Sequence, residues 1–176
     1  MNEVAGYGHG GRHIPPGLPG GPGGDIIPGW VPALIAIKTD SQAPKNNSTT
    51  LITITQLGVA IAAAGLYLVE WHILWESGST PDIKFSFSTP TGLTGVAEVV
   101  YTNTAAAVVV YSQDITSGGV IDIPGLGATT PVLSTFRALV RSGGLGTLDI
   151  QFAQNTANVS DTTILNDSNV FSWKIA

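Results

Sequence analysis

Residues 82–88 alternate strictly, with Ile83, Phe85 and Phe87 at one parity and Asp82, Lys84 and Ser86 at the other. A period of two places successive side chains on opposite faces of an extended chain, so such a run buries one face as a β-strand. Short runs of this kind recur along the rest of the sequence. They lie at 33–39, 50–56 (Ile52 and Ile54 on one face; Leu51, Thr53 and Thr55 on the other), 96–101, 106–111, 119–123 and 132–140. Leu148, Ile150 and Phe152 alternate with Asp149 and Gln151, and 170–175 reads as a closing strand. Turn residues separate the runs, as in Asp40-Ser41-Gln42-Ala43-Pro44 and Asn46-Asn47-Ser48. Eight to ten strands spaced by turns predict an all-β fold, a single jelly-roll β-sandwich of about 140 residues.

Composition excludes the alternatives. Charged residues are 11% and Lys plus Arg number 7, too few for a helix bundle built on Glu, Lys and Arg. Hydrophobic residues are 43%, too many for a disordered chain. The 57–75 run has the length of a membrane helix, but Gly58, Gly65, Glu70 and His72 interrupt it and its second half alternates, so membrane insertion is not expected. That second half, 66–76, is unusual. Tyr67, Val69, Trp71, Ile73 and Trp75 form one face, while Leu68 and Leu74 flank Glu70 and His72 on the other. A strand largely apolar on both faces is central, or is covered by a neighbouring subunit.

Residues 1–32 differ from everything after them. They hold ten glycines and six prolines, with three consecutive triplets ending in Gly (Pro15-Pro16-Gly17, Leu18-Pro19-Gly20 and Gly21-Pro22-Gly23). That is collagen-like spacing, too short to hold a triple helix unaided. The expected division is therefore an extended Gly/Pro-rich arm at 1–32 and a jelly-roll domain at 33–176. Tyr7, Ile14, Leu18, Ile26, Ile27 and Trp30 are the arm side chains large enough to plug pockets on another protein. The residues opening the chain, Met1-Asn2-Glu3-Val4, show no basic-then-apolar pattern of a signal peptide.

Reactive constellations do not emerge. There is no cysteine, which removes thiol chemistry and Cys-based zinc sites. A net charge of −5 without a basic cluster argues against nucleic-acid partners. Carboxylates are scattered singly, with no pair marked out for glycoside hydrolysis. Asn166-Asp167-Ser168-Asn169 is the one loop with calcium-like composition, and Asx turn chemistry explains it. His9 and His13 could gather around the axis of a trimer to hold a metal, although exposed arm histidines explain them as well. Phosphate loops, dinucleotide fingerprints and nucleophile elbows are missing. No enzyme activity, cofactor or metal is expected.

Three stretches carry a family resemblance. Residues 82–92, Asp-Ile-Lys-Phe-Ser-Phe-Ser-Thr-Pro-Thr-Gly, resemble a D-x-K-x-x-F-x-x-P-x-G element of small virion proteins from tailed bacteriophages, especially those of actinobacteria. Residues 146–156, Gly-Thr-Leu-Asp-Ile-Gln-Phe-Ala-Gln-Asn-Thr, resemble their G-T-L-x-L-x-[WF]-A-Q-N-T element, and 64–70 resemble a G-x-Y-x-V-E pattern. The resemblance spans roughly residues 38–176. It implies a jelly roll like those of tumour-necrosis-factor and C1q domains, assembled as a homotrimer. Such proteins serve as capsid decoration proteins, head fibres or minor tail proteins. The short arm favours seating close to the virion surface over a projecting stalk. The expected partners are further copies of the chain, the major capsid protein or tail proteins, and host surface glycans if the domain is instead a carbohydrate-binding adhesion module. Tyr67, Trp71, Trp75, Phe85, Phe87, Phe152 and Trp173 are expected at the core or the trimer interface.

Overall fold

The computed structural model describes residues 33–62, 64–102 and 105–176. The arm, with Tyr7, Ile14, Leu18, Ile26, Ile27, Trp30, His9 and His13, lies outside the described residues.

Strands follow one another as β1 (Ala33–Ile37), β2 (Ile52–Thr53), β3 (Val59–Ile61), β4 (Gly65–Ser77), β5 (Ile83–Ser88) and β6 (Thr94–Thr102). They continue as β7 (Val108–Asp114), β8 (Ile121–Ile123), β9 (Gly127–Ser142), β10 (Gly146–Gln154), β11 (Thr162–Ile164) and β12 (Asn169–Lys174). The large sheet runs β1-β12-β4-β9-β6-β7 with β11 also on β4; the small sheet runs β2-β10-β5-β8 with β3 also on β10. All pairings are antiparallel. The order β1-β12-β4-β9 against β2-β10-β5-β8 is that of a jelly roll, in which the chain repeatedly crosses from one sheet to the other, and β6-β7 is a hairpin added to the large sheet beyond β9. The expected all-β sandwich is the fold observed.

The core lies between the sheets. Trp71, Trp75, Phe85, Phe136 and Phe152 have no exposed surface. Phe85 meets Phe136 edge-on with centroids 4.8 Å apart, and Trp75 approaches Phe85 at 6.3 Å. Buried indoles need acceptors. Trp71 Nε1 donates to the Leu57 carbonyl and Trp75 Nε1 to the Ser134 hydroxyl, each at 2.9 Å. Tyr67 and Phe87 are also buried.

Trp173, expected at the core or the trimer interface, lies outside the core. In β12 the core-facing residues are Val170 and Ser172; Phe171 and Trp173 are half-buried on the other face, their rings stacked at 6.2 Å. The register explains this, because Val170 lies opposite Trp71 and Ser172 opposite Val69, both inward. The run at 50–56 is also shorter than expected. Only Ile52–Thr53 is strand, because Gln56 adopts a φ of 72° and turns the chain toward β3.

Two tight backbone features position the large sheet. A Cβ on Gly95 would collide with the Leu139 carbonyl oxygen and lie 2.9 Å from Val140 Cα, so β6 reaches β9 there only without a side chain. Gly92, at φ 76°, takes the left-handed conformation that glycine adopts without cost.

Asp149, half-buried on β10, has its carboxylate where a Cβ on residue 58 would stand, and burial pushes its pKa up. A carboxyl whose folded pKa is raised loses stability as pH rises from its unfolded value, about 3.9, through the folded one. Asp149→Asn should therefore raise the melting temperature at pH 7 and leave it unchanged at pH 3. An equal shift at both pH values would rule out ionisation as the cause.

Candidate functional site: the outer face of the large sheet

The sequence elements that carry the resemblance serve the fold. Gln154, fully buried, clamps the loop from β10 to β11: its Oε1 accepts from Ser48 N and Asn158 N, and its Nε2 donates to the Asn158 and Ser160 carbonyls. Asn155 N and Thr156 N donate to the Pro81 carbonyl. Asp82, at φ 48°, accepts from Gly125 N at 2.9 Å. In the Asn166–Asn169 turn Asn166 Nδ2 donates to Asp167 Oδ2 and Asn169 Nδ2 to the Asp167 carbonyl, Ser168 Oγ bonds the backbone of Leu74 and Leu165, and Asp167 adopts φ 65°. Most of these polar groups hold loops, although Asn169 Oδ1 is buried without a hydrogen bond.

The outer face of the large sheet is different. Its cross-strand register aligns side chains in rows. One row is apolar across four strands, Trp173 (β12), Leu68 (β4), Leu139 (β9) and Val96 (β6), and ends at Asp114 on β7. The next holds Phe171, Glu70, Arg137 and Glu98; the one after holds Asn169, His72, Thr135, Val100 and Val110. Leu74 beside Leu133 continues the face. Leu139, Leu133, Val96 and Val110 each expose half or more of their surface. From the spacing and rise of strands the face covers about 800 Å², the share that one partner contributes to a standard protein interface.

The polar row is an ion-pair network. Glu70 Oε2 accepts from Arg137 Nε at 2.7 Å, and Glu70 Oε1 lies 2.8 Å from His72 Nε2. Burial would raise the Glu70 pKa, but the bonds and charges of Arg137 and His72 outweigh it and hold the carboxyl below its ordinary value. Arg137 also stands opposite Glu98 on β6. The face thus combines exposed leucines and valines with a charged centre.

Tyr67, Trp71, Trp75, Phe85, Phe87 and Phe152 sit inside the sandwich; Trp173 alone of that group lies on the outer face. Sequence reasoning missed Leu133, Leu139, Val96 and Val110 as surface residues, because alternation marks two faces without saying which is covered. It also missed Lys38, fully buried with Nζ donating to Thr55 Oγ1 at 3.1 Å. Two depressions accompany the face. A groove of 610 Å³ beside β11 is lined by residues including Gln42, Glu76, Asp161 and Thr163. A cleft of 230 Å³ opens between β7 and β8, lined by Tyr101, Tyr111, Val120, Ile121 and Asp122. Among the described residues no three His, Cys, Asp or Glu side chains come together as a metal site. No helix among them is long and apolar enough to cross a membrane.

No protein-family model matches the chain, and no curated protein matches it. Among solved structures it is similar to that of the infectious bursal disease virus Gt strain, with 13% identity, a TM-score of 0.20, and coverage of 83% of this chain and 42% of that one. It is similar also to the VP2 subviral particle of infectious bursal disease virus, with 10% identity, a TM-score of 0.19 and the same coverages. The chain spans less than half the length of these viral particle proteins, and at such scores the likeness carries no argument about role.

Proposed function

We propose that the protein is a non-enzymatic structural component of a bacteriophage virion, a homotrimer seated on the particle exterior. The observation that carries this reading is the outer face of the large sheet: in a jelly roll whose polar loop residues mostly serve the fold, Leu139, Leu133, Val96 and Val110 stand exposed in rows on a face of about 800 Å². Further copies of the same chain are the partners that the resemblance implies. Apolar burial is worth roughly 25 cal/mol per Å², so covering the face would stabilise each protomer by several kcal/mol. In this reading residues 1–32 anchor the trimer to the capsid or tail, with Tyr7, Ile14, Leu18, Ile26, Ile27 and Trp30 as plugs. Prolines keep such an arm extended and lower the entropy lost on docking. Three arms per trimer multiply a weak contact through effective concentration.

The test is deletion of residues 1–29. The truncated chain should keep the trimer mass by light scattering and lose copurification with phage particles. Undiminished attachment would show that the jelly roll docks directly, and a monomeric full-length chain at micromolar concentration would overturn the assembly itself.

A further inference from the structure

We propose that the cleft between β7 and β8 is a saccharide-binding site that takes a single neutral sugar ring. The argument rests on the cleft alone and is independent of the virion reading. Tyr111 lies opposite core residue Val99 across β6 and β7, on the inward side of the large sheet. Tyr101, opposite Val109, is its diagonal neighbour on that side. β8, which ends the small sheet, is only three residues long. The sandwich therefore stays open at this edge, and both phenols line the gap together with Val120 and Asp122. Tyr111 is 47% exposed and Val120 41%. Tyr101 packs partly against the core, whereas the Tyr111 ring, half in water at an open edge, has a free-energy cost that a core position would not.

The polar groups indicate which ligand fits. Asp122 is exposed, with Lys84 opposite it in β5, and no basic residue lines the cleft, so anions have no partner there. The Asp122 carboxylate is an acceptor, which matches a ligand with O–H donors. Tyrosine rings offer flat apolar surface with a polar tip, which matches the C–H face of a pyranose and its ring hydroxyls.

The full-length protein, labelled with ¹⁵N, should be titrated with the methyl glycosides of glucose, galactose, mannose and N-acetylglucosamine, and in parallel with choline. At least one glycoside should shift the amides of Tyr101, Tyr111 and Val120–Asp122, with choline inert. Tyr111→Ala should weaken that binding about tenfold, one aromatic contact's worth, and Asp122→Asn should weaken it without altering the fold. Tyr111→Phe should retain most of it. The proposal fails if no glycoside moves these amides, if choline moves them instead, or if Tyr111→Ala binds as the parent does. Docking of a polypeptide strand on the β7 edge would appear as the first of these failures.

Discussion

Trp71→Ala should cost about 3–5 kcal/mol of stability, the range for removing a large aromatic from a packed core. Small domains hold only about 5–15 kcal/mol in total, so the variant should be largely unfolded at moderate urea. Trp71 is fully buried in the middle of β4, with Phe136 opposite it on β9 and Val170 opposite it on β12. Phe87 packs on its ring from the small sheet at 5.7 Å. Truncation would therefore open a cavity between the sheets where three strands and both layers meet, and rigid strands cannot close over it. It would also strip the Leu57 carbonyl of the 2.9 Å indole bond, adding about 1 kcal/mol or more for a buried acceptor left unpaired. Trp71→Phe separates the two effects, since it keeps most of the ring packing and loses the bond. The measurement is the urea midpoint at fixed protomer concentration, because self-association shifts apparent stability. A loss below about 1 kcal/mol for Trp71→Ala would show that the two sheets do not depend on this residue.

The inward residues were legible where alternation met a single large apolar set. Ile83, Phe85 and Phe87, then Leu148, Ile150 and Phe152, and the odd-numbered side chains of β4 are all buried. The legibility failed where both parities carried apolar groups. In 170–175 the sequence favours Phe171 and Trp173 over Val170 and Ser172, yet the pairing with β4 turns the smaller pair inward. Period-two patterning cannot choose between two apolar faces; only the register imposed by a neighbouring strand can. Short strands failed for another reason. β3 lies within a continuous apolar run, and β11, Thr-Thr-Ile, is buried at every position and has no alternation to read. Each owes its place to hydrogen bonds from a strand distant in sequence. The outer face was legible in part, through Leu68 and Leu74 on β4. Its width was not, since that depends on β9 and β6 lying beside β4.

Leu139→Arg should convert the proposed trimer to monomers while leaving the jelly roll folded. Leu139 sits at the centre of the apolar row, between Leu68 and Val96, and is half-exposed in the single chain. An arginine there projects into water in the monomer, so the fold loses little. In an assembly that covers the face, the substitution removes a buried leucine worth about 1.5–3 kcal/mol. It also places a cation two residues along β9 from Arg137 and from Arg141, on the same face. Like charges withdrawn from water oppose association by several kcal/mol, and the loss repeats at every subunit contact. Each 1.4 kcal/mol is a factor of ten, so dissociation at micromolar concentration should be complete. Leu133→Arg, two rows beyond Arg137 in the other direction, should act likewise if the whole face is covered. Leu139→Ala, which trims the contact without adding charge, should weaken the trimer and not abolish it. Light scattering reads the mass, and circular dichroism with a cooperative thermal transition reads the fold. Should both arginine variants keep the trimer mass, the subunits meet elsewhere, and the charged cluster of Glu70, His72, Arg137 and Glu98 faces water or a different partner.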